Sequence, residues 1–262
     1  MTRDDPSLHD IQSRLDGIEA REGVRILYAC EAGSRAWGFA TTDSDFDIRF
    51  LYLRPQSWYL SIDLEHRSSV LEWPPDGVWD IVGWDLRKAL RLMRHSNPQL
   101  LEWLHSPIVY RDVETTGEQL RALLPQVHSP ERAMHHYLRM AARNRRVSLE
   151  KESIQLKKYF DVLRPLLACR WIEAGRGMVP VEFDRLLEAG SIDPPLLEHI
   201  QELLDAKRSG QLGLGSRLPA IDRFIEGELQ RLEGASPGVP KSAAPIEPLN
   251  QLFRDFLDRT PL

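Results

Sequence analysis

Two strand patterns joined through a Gly-Ser turn constrain this chain more than any other feature. Val24–Cys30 is a mostly apolar run that suits a buried strand, and Gly33-Ser34 follows it. Asp45, eleven residues after Ser34, begins the stretch Asp45-Phe46-Asp47-Ile48-Arg49-Phe50. Its alternation is that of a half-buried strand, with Phe46, Ile48 and Phe50 entering the core while Asp45, Asp47 and Arg49 share the other face. Two acids held side by side on a rigid strand repel, and a bound cation is the usual reason to build such a pair. Carboxylate oxygens suit Mg2+, and Mg2+ brings nucleoside phosphates with it. Gly33 allows the backbone to approach a phosphate closely, and Ser34 adds a hydroxyl and an amide donor.

Simpler readings of these residues fit less well. A calcium loop counted from Asp43 needs Gly at its sixth position and Glu at its twelfth, where this chain has Ile48 and Arg54. A solvated acidic turn explains a lone Asp-x-Asp, but not one set after Gly-Ser and flanked by strand patterns. Ser34 lacks the following glycine of a hydrolase nucleophile elbow. His135 and His136 are adjacent on a helix, point about 100° apart and cannot face one metal.

The remaining pattern is mostly helical. Leu8, Ile11, Leu15 and Ile18 predict an amphipathic helix over 7–21. Pro74-Pro75-Asp76-Gly77 predicts a hairpin turn between strands in 67–73 and 78–84. Asp85 reads as the N-cap of a helix burying Leu86, Ala89, Leu90 and Met93, and Asn97-Pro98 starts another through Leu104. Further helices are expected at 117–124, 130–148, 152–174, 180–189, 194–208 and 217–233. Residues 234–248 form a Pro/Ala/Ser/Gly linker ending in the apolar stripe Leu249, Leu252, Phe253, Phe256 and Leu257. That stripe either docks back on its own chain or meets a partner, such as a second copy. The expected domains are 1–112, 113–233 and 234–262.

Composition narrows the class. The chain has 262 residues, with 42% hydrophobic content and a net charge of −5. This is ordinary for a soluble globular protein and argues against a protein coated in basic charge for long nucleic acid. Cys30 and Cys169 read as buried thiols. A polar N-terminus and the lack of any long apolar run point to a cytoplasmic protein without membrane contact.

Gly-Ser, a spacer of about ten residues and Asp-x-Asp on a strand resemble the nucleotidyltransferase signature of the DNA polymerase β superfamily. The longer run Gly33–Arg49, with Asp80-Ile-Val-Gly-Trp-Asp-Leu-Arg-Lys88 and Asn97-Pro-Gln-Leu-Leu-Glu-Trp103, resembles the YcgL/RlaP type of predicted nucleotidyltransferase. The resemblance implies an α+β fold, in which a small mixed β-sheet carries the active site and a C-terminal helical domain closes the cleft. It implies Mg2+-dependent transfer of a nucleotide monophosphate from an NTP to an acceptor hydroxyl, through two ions, with Mn2+ as a substitute. Asp45 and Asp47 would hold metal with a third acid from a neighbouring strand, where Asp80 is the choice and Asp85 the runner-up.

Gly33, Ser34 and Arg35 would lie at the phosphates. Between Arg139 and Arg170, nine Lys or Arg stand against three acids, and by the same resemblance Lys158 and Tyr159 contact the nucleotide. The acceptor is open: an RNA end, or a protein or small molecule. A binding module without turnover is the third reading, and the intact acid set argues against it.

Overall fold

In the computed structural model, residues 6–151, 153–188, 192–235 and 244–260 are described. The elements run α1 (Leu8–Glu22), β1 (Arg25–Glu31), α2 (Gly33–Ala36), β2 (Phe46–Leu53), α3 (Gln56–Tyr59), β3 (Val70–Glu72), β4 (Trp79–Asp85), α4 (Leu86–Arg94), α5 (Pro98–Leu104), β5 (Val109–Asp112) and α6 (Thr116–Val127). Then follow α7 (Pro130–Ser148), β6 (Ile154–Gln155), α8 (Lys158–Glu173), α9 (Phe183–Leu187), α10 (Pro194–Arg208), β7 (Leu214–Gly215), α11 (Pro219–Ala235) and α12 (Glu247–Arg259). The fold is α+β, as expected.

The chain forms two compact units. The first comprises the described parts of Met1–Ala36, Ser44–Ser129 and Ser242–Leu262, and the second those of Trp37–Asp43 and Pro130–Lys241. Three boundaries differ from the sequence reading. Residues 113–129 stay with the sheet, 37–43 leave it, and the terminal helix rejoins it.

The first unit is a five-stranded mixed sheet in the order β3-β4-β2-β1-β5. β2 and β4 pair in parallel, while the other neighbours are antiparallel. β5 is not foreseen in the sequence; its four residues at an edge carry too little alternation to read. α1 starts at a reciprocal cap, with Ser7 Oγ accepting from Asp10 N at 3.2 Å and Asp10 Oδ2 accepting from Ser7 N at 2.8 Å. Its Ile11, Leu15 and Ile18 pack with Ile26, Ile48, Phe50 and Ile81. α4, α5 and α6 pack against the strands as well. On β2 this produces a division within one face: Asp47 and Arg49 remain half-exposed, and Leu51 and Leu53 further along are buried.

Gly83 lies in register with Phe50, and a Cβ built on it would fall 2.2 Å from the Phe50 ring. Gly83→Ala therefore overpacks the sheet, and we expect a loss of about 1–3 kcal/mol in urea unfolding. A loss below a few tenths of a kcal/mol would mean that the ring has room to move.

α12 buries Leu249 and Phe256 within the first unit, where it packs with α4, and Phe253 meets Tyr59 edge-on at 5.1 Å. The apolar stripe is thus spent on its own chain. Of the expected linker, residues 236–243 lie outside the described residues.

The second unit is helical, with Tyr137, Phe160, Leu163, Phe183, Ile200 and Ile225 in one core. Residues 37–43 contribute Phe39, whose ring centroid is 4.6 Å from that of Phe160. The helix expected to begin at 152 begins at Lys158, because Ile154–Gln155 pair instead with Leu214–Gly215. Acids elsewhere in the unit take up part of the basic excess: Arg145 bonds Glu226 at 3.1 Å and Arg170 bonds Glu228 at 2.9 Å.

Candidate active site

The parallel register sets Asp47 of β2 directly beside Asp80 of β4. Arg49, two residues along the same face, spans both: its Nη2 donates to Asp47 Oδ1 at 3.0 Å and to Asp80 Oδ2 at 2.9 Å. Its Nη1 donates to Asp80 Oδ1 at 3.2 Å and to the Asp80 carbonyl at 2.8 Å. Burial pushes the Asp47 carboxyl up to about 6, Arg49 opposes the shift, and the neighbouring carboxylates of Asp80 and Asp45 add to it. Asp80 is also disfavoured by burial, but the bidentate Arg49 outweighs that and holds it below the ordinary range. Asp45 stands one residue before β2, exposed, and its charge is felt at Asp47.

The turn after β1 holds Asp47 from the other side. Ala32 N donates to the Asp47 carbonyl at 2.8 Å, and Asp47 N donates to Glu31 Oε1 at 2.7 Å. Gly33 has φ +56°, and a Cβ there would fall 2.0 Å from Asp47 Oδ2. Only glycine lets the turn lie on that carboxylate. Ser34 follows in α2, half-buried.

Glu31 is not foreseen from the sequence, because the apolar run stops at Cys30. It is fully buried, and Tyr110 Oη donates to its Oε2. Burial pushes Glu31 up to about 7 against the pull of those two hydrogen bonds. The sole cue is an acid two residues ahead of Gly33-Ser34. Tyr110, on the unforeseen β5, gives none.

Two of the expected nucleotide contacts are engaged with the protein's own groups. Arg35 donates to the Ser44 carbonyl at 3.0 Å and the Asp45 carbonyl at 3.3 Å, with its guanidinium 3.7 Å from the Phe46 ring centroid. It pins the acid-bearing turn. Tyr159 is fully buried in the second unit, where its hydroxyl donates to Asp222 Oδ1 at 3.0 Å and accepts from Leu218 N at 2.8 Å. A ring so enclosed offers no platform to a base. Lys158, in the same unit, pairs with Asp161 at 2.9 Å. Asp85, the alternative third acid, ends β4 buried, accepting from Tyr59 Oη at 2.7 Å and capping α4 through Arg87 N at 2.8 Å. Burial raises its carboxyl against the pull of those bonds, and capping α4 and holding Tyr59 give the residue a structural role.

The donor set of Asp47 and Asp80 is all oxygen, on adjacent strands, under like-charge tension that a divalent cation would relieve. Among the described residues, no three His, Cys, Asp or Glu converge into a complete metal cage. Mg2+ fits such a partial set, since it takes its other ligands from water and substrate phosphates. Among the same residues, no helix is long and apolar enough to cross a membrane.

The chain is 46% identical over 227 residues to the uncharacterized protein YcgL of Bacillus subtilis, covering 86% of each chain. A solved nucleotidyltransferase-like protein from Exiguobacterium sibiricum is 12% identical, over 94% of this chain and 80% of that one, with a TM-score of 0.32, a loose likeness. The model of the RNA repair pathway DNA polymerase β family, RlaP, matches residues 8–255. The chain belongs to that family.

Proposed function

We propose that this protein is a Mg2+-dependent nucleotidyltransferase that moves an NMP from an NTP to the hydroxyl of an RNA end, releasing pyrophosphate. The observation that supports the reading is the in-register pairing of Asp47 with Asp80 beside Gly33, where an added Cβ would fall 2.0 Å from Asp47 Oδ2. Asp45 and Asp47 would hold the cation on the triphosphate, and Asp80, in register with Asp47, would supply the further carboxylate that a second ion needs. Gly33 and Ser34 present backbone and hydroxyl donors to the phosphates. Bound cations neutralise phosphoryl charge and lower the pKa of the attacking hydroxyl. Arg49 keeps the two strand carboxylates oriented, and Glu31 fixes the backbone of Asp47 from within the core. The family's link to RNA repair favours RNA as the acceptor over a protein or small molecule.

The test is incubation of the purified protein with each labelled NTP, Mg2+ and single-stranded RNA bearing a free end, with total protein as the competing acceptor. Label on RNA with stoichiometric pyrophosphate is expected. If no NTP labels any acceptor while Mg2+-NTP still binds, the protein is a binding module and the reading fails. Asp80→Asn should lose turnover and keep part of its NTP affinity, because this acid chiefly serves the nucleophile's ion. Calorimetric titration beside the labelling assay separates the two, and undiminished turnover would strike Asp80 from the site.

A further inference from the structure

α4 buries Leu86, Ala89, Leu90 and Met93, and its other positions include Arg87, Lys88, Arg91 and Arg94. A nine-residue helix thus carries four cations and no acid, in a chain where 39 acids outnumber 34 Lys and Arg. Two cavities of about 400 and 360 Å3 open along it and share Arg87, Arg91 and His95. Trp58 and Arg67 help to line the first, and Leu249 and Phe253 of α12 the second.

Local acids do not balance this row. Asp85 is buried and committed to Tyr59 and the helix cap. Glu65 is exposed and reaches Arg87 only at 3.7 Å. Arg91 makes no hydrogen bond or ion pair among the described residues. A cluster of like charges raises the local potential and draws counter-anions from solution. Arg87, Arg91 and Arg94 stand at i, i+4 and i+7, on successive turns of one helix face about 5 Å apart along the axis. Such spacing matches a chain of phosphates better than a single one. Trp58, half-exposed, holds the guanidiniums of Arg54 and Arg67 over its ring at 5.2 and 5.5 Å from the centroid, which adds two cations beside the row.

We propose that this face of α4 is a second binding site, for the phosphodiester backbone of a single-stranded RNA. It is separate from the carboxylate pair: Asp80 stands near the start of β4 and α4 follows its end, roughly 16 Å of strand away. The choice of RNA rests on the function proposed above, whereas the fit to a chain of phosphates does not.

The experiment is fluorescence anisotropy of a short labelled single-stranded RNA with the whole protein, in EDTA and without NTP, across a salt series. Binding should weaken steeply with salt. Arg87→Ala/Arg91→Ala should weaken it on the order of tenfold near physiological salt and lower the log–log salt slope by about 1.4, or about 0.7 for each phosphate no longer neutralised. Its thermal midpoint should match that of the wild type, and Arg91→Glu alone should weaken binding while leaving the fold intact. Equal RNA affinity in wild type and double variant would overturn the proposal. So would displacement of the RNA by inorganic phosphate at matched charge, which would mark a pocket for one anion. Asp47→Asn should bind this RNA as the wild type does. A wild type that binds RNA but transfers no NMP would therefore remove the catalytic reading alone, and transfer kept in the α4 variants with RNA binding unchanged would remove this site alone.

Discussion

Asp47→Asn is expected to reduce NTP-dependent labelling at least a hundredfold while leaving the unfolding midpoint near that of the wild type. The amide keeps the shape of the carboxylate but loses the charge that a divalent cation needs. Metal-ion catalysis contributes several kcal/mol to the transition state, and about 1.4 kcal/mol corresponds to a factor of ten in rate. The fold should tolerate the change because burial already disfavours the Asp47 charge, and Arg49 keeps its bidentate contact with Asp80. Labelling rate and thermal midpoint should be measured on one preparation. Near-normal labelling would remove Asp47 from the metal site. A collapsed midpoint would mean instead that the Asp47–Arg49 contact holds the sheet together.

What the sequence reveals of this site follows from where its information lies. Asp45, Asp47 and Gly33 are legible because they belong to one strand–turn–strand segment, whose alternation fixes which side chains share a face. Asp80 is legible as an acid in an apolar strand pattern, but its partner is not. Which residue stands opposite it depends on a parallel register set by the intervening α3 and β3, which no local pattern encodes. The capping role of Asp85 and the four buried positions of α4 are also readable, being set by 3.6-residue periodicity.

Long-range choices are hidden. Tyr159 reads as an available aromatic beside a lysine, yet Leu218 and Asp222, some sixty residues later, enclose its hydroxyl. Glu31 and Tyr110 are 79 residues apart and meet only because β5 joins the edge of the sheet beside β1. Likewise the apolar stripe of α12 signals that it must be buried but not where, and α4 with Tyr59 supplies the place.

Gly33→Ala is expected to match Asp47→Asn in its loss of labelling, although it removes no charged group. Gly23 provides the control. Both glycines have left-handed φ, +60° at Gly23 and +56° at Gly33, so a Cβ brings each a comparable backbone penalty of about 1–2 kcal/mol. At Gly23 nothing lies within 4 Å of the added atom, whereas at Gly33 Asp47 Oδ2 lies 2.0 Å away. Gly23→Ala should therefore lower the thermal midpoint and leave labelling per folded molecule unchanged. In Gly33→Ala the carboxylate must leave its place beside Asp80, and labelling should fall at least about a hundredfold, as the loss of several kcal/mol of metal assistance implies. Because both changes act through one carboxylate, Gly33→Ala/Asp47→Asn should label no worse than Asp47→Asn alone. Losses that multiply in the double variant would show that the turn serves the phosphates independently of Asp47. Full labelling by Gly33→Ala would mean that the turn yields to the added methyl and does not position the carboxylate.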